Sequence, residues 1–117
     1  MLRKFIVERD ISGLGELTPA ELGYVAREAN AALALIPGIQ WQHSYVTADK
    51  SYCVFMAESE ELVREHALVA RLPTARITEV KDVIDPATGV FAQDEVGLSS
   101  RDAVEGWFAR RRGAASA

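Results

Sequence analysis

Residues 39–58, IQWQHSYVTADKSYCVFMAE, constrain the fold more than any other stretch. They read as two β-strands, 39–47 and 50–57, folded back on a tight turn. Both are rich in aromatic and β-branched residues, which suit a pleated, half-buried surface. Asp49 gives the link its turn chemistry. A two-residue loop at Ala48 and Asp49 sets Tyr45 against Tyr52, His43 against Val54 and Trp41 against Met56. Because strand side chains alternate, that register puts Trp41, His43, Tyr45, Tyr52, Val54 and Met56 on one face. Ser44, Val46, Ser51, Cys53, Phe55 and Ala57 go to the other, with Gln40 and Gln42.

The flanking sequence supplies the rest of a layered domain. Residues 4–10 (KFIVERD) alternate as a strand, with Phe5 and Val7 on one side and Ile6 and Glu8 on the other. Thr18-Pro19-Ala20-Glu21 is a helix start, with Thr as N-cap, Pro at the first position and Glu at the third. Leu22, Val25, Ala26, Ala29, Leu33 and Ile36 then form one apolar stripe before Pro37-Gly38. Ser59 caps a second helix whose acidic first turn, Glu60-Glu61, suits its dipole. That helix closes at Leu72-Pro73. Residues 76–85 (RITEVKDVID) alternate as a fourth strand, ended by Asp85-Pro86. Residues 90–98 read as a loop with a short strand, and 99–112 as a last helix capped by Ser100, with Val104, Trp107 and Phe108 on one side.

The order β-α-β-β-α-β is the ferredoxin-like, split-βαβ pattern, an α+β fold. Residues 1–86 form this core domain and 87–117 a C-terminal extension. Both core helices cover one face of a four-stranded antiparallel sheet. The smoother apolar set (Phe5, Val7, Val46, Cys53, Phe55 and Val80) goes inward under the helices. Ile6, Glu8, Trp41, His43, Tyr45, Tyr52, Met56, Ile77 and Glu79 are then left on the open face. That face is apolar enough to need covering, yet it carries an imidazole, two carboxylates and two phenols. A homodimer packed sheet to sheet, a dimeric α/β barrel around a partly closed pocket, accommodates both properties.

Length and composition limit the partners. A chain of 117 residues is one domain on length, and no apolar run approaches the roughly 20 residues that span a bilayer. The start, MLRKFIVERD, has no long apolar segment of the secretory kind. One cysteine forms no internal disulfide and no Cys-x-x-Cys motif. These features point to the cytoplasm. A net charge of −4 argues against nucleic acid as partner.

The runs KFIVERD, LTPAEL, W-x-H-S-Y-V-T-x-D-K-x-Y-C-V, E-H-A and RITEVKDVIDP resemble a small family of bacterial, mainly actinobacterial, proteins of unknown function. One described member is a nickel-binding, nickel-responsive protein. The resemblance covers about residues 4–86 and implies a ferredoxin-like subunit, a homodimer and metal binding, with no known reaction. The tail beyond Pro86 lies outside it.

Imidazole suits Ni²⁺ and Zn²⁺, and carboxylate oxygen can complete an octahedral shell. On the expected open face, His43 with Glu8 and Glu79 supplies such a mixed set. The other role for His43 is a hydrogen bond to a carboxylate or phenol inside a dimer interface. His66, on the second helix, falls on the opposite side of the sheet from His43. It fits either a core-boundary histidine or a second metal site with Glu65 or a partner residue. Cys53 fits a small core residue better than a ligand. Tyr45 and Tyr52 pair across strands, as packing groups or as rim hydroxyls that orient a bound organic molecule. The alternative to a nickel-buffering or nickel-sensing protein is a cofactor-independent enzyme of isomerase, dehydratase or oxygenase type. In it His43 would be the general base beside Glu8 or Tyr45. A third reading is an interaction module working through Trp107, Phe108 and Arg110–Arg112.

Overall fold

The computed structural model describes residues 1–92 and 98–116, in two compact units, Met1–Lys81 and Asp82–Ala117. The first unit is the ferredoxin-like βαββαβ. Strands β1 (Arg3–Asp10), β2 (Ile39–Val46), β3 (Lys50–Ala57) and β4 (Arg76–Glu79) make an antiparallel sheet in the order β2-β3-β1-β4. Helix α1 (Pro19–Leu33) joins β1 to β2, and α2 (Glu60–Ala70) joins β3 to β4. Phe5, Val7, Ile36, Ile39, Cys53, Phe55, Ala57 and Val63 form the buried core between helices and sheet.

The helix starts follow from local chemistry. Thr18 accepts from the Glu21 amide at 3.2 Å while the Glu21 carboxylate accepts from the Thr18 amide at 2.9 Å, a complete capping box with Pro19 behind it. Ser59 caps α2 through the Leu62 amide. Arg71, in left-handed backbone (φ 58°), ends it.

The hairpin register is the expected one for Tyr45–Tyr52 and His43–Val54, and then it slips. Trp41 lies opposite Phe55, not Met56, because β2 carries an extra residue at Gln42, a β-bulge. A bulge puts two residues against one, so every side chain before it changes phase relative to a straight ladder. Trp41 therefore packs with the core under the helices and not on the open face.

Strand β4 is shorter than its alternating sequence suggested. The Val80 amide donates to the Lys4 carbonyl at 2.8 Å, and β1 itself begins at Arg3, so beyond that point no strand remains to pair with. The phase of β4 also differs from expectation. Ile77 stands opposite Val7 and Glu79 opposite Phe5, so both belong to the helix-covered face. Val80 lies one residue past the strand.

In the second unit, α3 spans Pro86–Ala92, a helix for which the sequence reading had no element. Asp85 caps it, with the Thr88 amide donating to the Asp85 carboxylate at 3.0 Å and the Asp85 amide to the Thr88 hydroxyl at 3.1 Å. Asp-Pro-x-Thr repeats the logic of Thr-Pro-x-Glu at α1 and was legible in the sequence. The segment 90–98, expected as a loop with a short strand, thus begins in helix, and 93–97 lie outside the described residues. Helix α4 (Leu98–Ser116) begins before the Ser100 cap the sequence suggested. Along it, Trp107 and Phe108 stack edge to face at 5.0 Å, with Arg111 over the indole. No helix among the described residues is long and apolar enough to cross a membrane.

The loop after β1 is fastened to the β2–β3 turn. The Ile11 amide donates to the Asp49 carbonyl at 2.9 Å, the Gly13 amide to the Asp49 carboxylate at 2.9 Å and the Gly15 amide to the Ala48 carbonyl at 2.9 Å. A Cβ on Gly15 would stand 2.8 Å from the Ala48 Cα and 2.9 Å from the Thr47 carbonyl oxygen, both backbone atoms that cannot step aside. Gly15→Ala is expected to cost about 1–3 kcal/mol as overpacking. Urea unfolding would show it as a lower midpoint at unchanged slope.

Candidate functional site

The two faces of the sheet carry different chemistry. On the open face the side chains stand in rows across the strands: His43, Val54, Ile6 and Thr78 in one, and Tyr45, Tyr52, Glu8 and Arg76 in the next. His43 is exposed, its ring edge-on to Tyr45 at 5.0 Å. Among the described residues neither ring nitrogen of His43 is hydrogen-bonded. Glu8 is already engaged: Lys50 Nζ lies 2.7 Å from its Oε1 and 3.2 Å from Asp10 Oδ1. The bond to Glu8 first, then that to Asp10, holds the Lys50 ammonium well above its usual range.

The residues proposed as metal ligands are not brought together in one copy. Strand β3 separates His43 from Glu8, two strand spacings or roughly 10 Å at the backbone. Glu79 is on the other face, where its Oε1 accepts from Arg3 Nη1 at 2.8 Å. His66 is also on the helix side, as its position in the second helix implied. Among the described residues no three His, Cys, Asp or Glu side chains converge on a point where an ion could sit. Among the described residues a single copy thus offers nickel one exposed imidazole, His43, and no further converging donors. Tyr45 and Tyr52 do pair across the hairpin. Cys53 is buried, its sulfur 3.6 Å from the Ser51 hydroxyl.

Beneath the helices lies a cavity of about 210 Å³. Val25, Ala29, Trp41, Cys53, Phe55 and Leu72 contribute its apolar walls. Four polar side chains interrupt them: Ser44, Ser51, Arg9 and His66. Arg9 is 1% exposed. Its Nη1 donates to the Pro73 carbonyl at 2.8 Å and the Thr74 hydroxyl at 3.1 Å, while Nε and Nη2 have no partner among the described residues. His66 is fully buried against Phe55, with Nε2 3.2 Å from the Ala29 carbonyl and Nδ1 unpartnered. A carbonyl only accepts, so Nε2 carries the proton and the ring is the neutral Nε2–H tautomer. Burial, reinforced by the charge of Arg9 and opposed by the Ala29 bond, pushes the His66 pKa down. Arg9 went unnoticed as a functional residue, although it continues the inward phase of Phe5 and Val7 along β1. A charged residue in the core phase of a strand was the available signal.

Residues 5–80 match the model of the SCO4226-like family, nickel responsive proteins. The chain belongs to this family. Its fold matches the crystal structure of SCO4226 from Streptomyces coelicolor A3(2), with a TM-score of 0.59 at 16% sequence identity, over 69% of this chain and 99% of that one. No curated protein matches the sequence. The family match ends at Val80, so α3 and α4 are additions to the family domain.

The state of His66 sets a pH dependence. Its folded pKa lies below the ordinary 6.5, so the unfolded chain binds the proton more readily. The stability of the neutral, buried ring is intact above 6.5 and is lost as the pH falls from there through the lower folded value. The expected slope is at most about 1.4 kcal/mol per pH unit for one proton. His66→Gln should flatten the fall in stability between about pH 7 and pH 5. Urea titrations of both proteins across that range would check it.

Proposed function

We propose that the protein binds a divalent transition metal, nickel foremost, for buffering or sensing, and that its site forms between the open sheet faces of two copies. The observation that carries the reading is His43: an exposed imidazole with both nitrogens free among the described residues, on a sheet face that no core helix covers. Membership in a nickel-responsive family supports it. One copy supplies too few converging donors, so a second copy must supply the others, and the two-fold axis of a homodimer doubles every ligand. Ile6, Val54 and Met56, in the rows around His43, give such a contact an apolar centre. Imidazole nitrogen matches nickel's ligand preference, and water or the Tyr45 and Tyr52 hydroxyls complete the shell. We place the protein in the cytoplasm, where its one buried thiol needs no disulfide partner.

The cofactor-independent enzyme has less support on this face. A histidine base needs a group that orients it, and the Glu8 carboxylate that could do so is held by Lys50 on the far side of β3.

Calorimetric titration of tag-free, chelator-stripped protein with Ni²⁺ tests the reading. We expect saturable binding that weakens at least tenfold, about 1.4 kcal/mol, in His43→Ala and persists in His66→Gln. Sedimentation should show a dimer. Binding that ignores His43→Ala overturns the assignment.

A further inference from the structure

The cavity under the helices is a separate site, with no part in the metal reading. Arg9 carries a permanent positive charge into an apolar wall. Buried charges are ordinarily paired, because desolvating an ion costs several kcal/mol that only an opposite charge and full hydrogen bonding offset. Arg9 has neither. Its acceptors are one carbonyl and one hydroxyl, two of its nitrogens have none, and among the described residues no carboxylate forms an ion pair with it. The four ion pairs of the core unit, Arg3–Glu79, Lys50–Glu8, Lys50–Asp10 and Arg64–Glu60, all lie elsewhere. His66 adds a third unpartnered nitrogen in the same wall.

The arrangement lacks an anion, and the space beside it is apolar. A guanidinium presents two parallel donors that match a carboxylate edge. An apolar cavity of about 150 Å³ is enough to hold a benzene ring, and this one is about 210 Å³. Val46, 44% exposed, stands at its rim and gives it a mouth.

We propose that this cavity binds a small organic monocarboxylate with an apolar body, of aryl-acetate or medium-chain size, with its carboxylate on Arg9 and its body against Trp41, Phe55 and Ala29. His66, fixed by the Ala29 carbonyl, closes the inner wall.

The test is direct because Trp41 lines the cavity. In a Trp107→Phe background Trp41 is the sole indole, and its fluorescence, with calorimetry, reports occupancy by phenylacetate, cyclohexylacetate and hexanoate. We expect saturable binding of one molecule per chain for at least one of the three. The matching alcohol should bind at least tenfold more weakly. Arg9→Met should reduce carboxylate affinity at least tenfold without lowering the unfolding midpoint, since an apolar residue replaces an uncompensated charge. Ala29→Leu, which fills the cavity, should abolish binding, and it decides the matter should Arg9→Met fail to fold. No saturable binding of any of the three acids, or equal binding by Arg9→Met or Ala29→Leu, overturns the proposal. His43→Ala should leave acid binding unchanged, so this site and the metal site stand or fall separately.

Discussion

The extra residue that β2 carries at Gln42 decides what each face of the sheet can do. Before it, Ile39 and Trp41 lie opposite Ala57 and Phe55 and enter the core; after it, His43 and Tyr45 point the other way, opposite Val54 and Tyr52. A straight ladder would have put the indole beside the imidazole, covering the open face and leaving the cavity without a wall. With the bulge, Trp41 closes one side of the cavity and its indole N–H reaches the Ser44 hydroxyl at 2.9 Å, satisfying the polar atom it brings in. Bulges concentrate beside functional sites because they re-aim single side chains. Here one bulge separates an apolar chamber from an exposed histidine.

The two faces also differ in how their charges are treated. On the open face Lys50 lies between Glu8 and Asp10, and these pairs keep contact with water, which makes them inexpensive and only weakly stabilising. Under the helices the reverse holds: Arg9 is buried with two of its three side-chain nitrogens unpartnered, and His66 survives there by staying neutral. A fold of this size has little stability to spare. An unpaired buried cation that persists in it is the kind of local cost that binding sites carry.

Much of this was legible in the residues. The element order, the capping box at Thr18, the hairpin centred on Ala48-Asp49 and the inward phase of Phe5, Val7, Cys53 and Phe55 all follow from local chemistry and alternation. The bulge did not, because one unpaired residue leaves no mark in a sequence that alternates plausibly in either register. The phase of β4 was ambiguous for a similar reason. Ile77 and Val80 have opposite parity, and only the pairing of Ile77 with Val7 fixes which one faces the helices. That error carried Glu79 onto the wrong face and into a ligand set with His43. His66 was correctly separated from His43 by topology alone. Arg9 was overlooked because its meaning depends on what surrounds it, on a carboxylate that is missing as much as on groups that are present.

The proposed metal site lies at His43, between two copies, and not at the buried His66. Crystals of tag-free protein grown with Ni²⁺ and measured at the nickel absorption edge locate the ion without reference to any fitted side chain. An anomalous peak within bonding distance of His43 imidazole, shared by two copies facing each other through their open sheets, is the predicted result. A peak at His66 in the cavity, or ordered nickel bound away from His43 altogether, would contradict it.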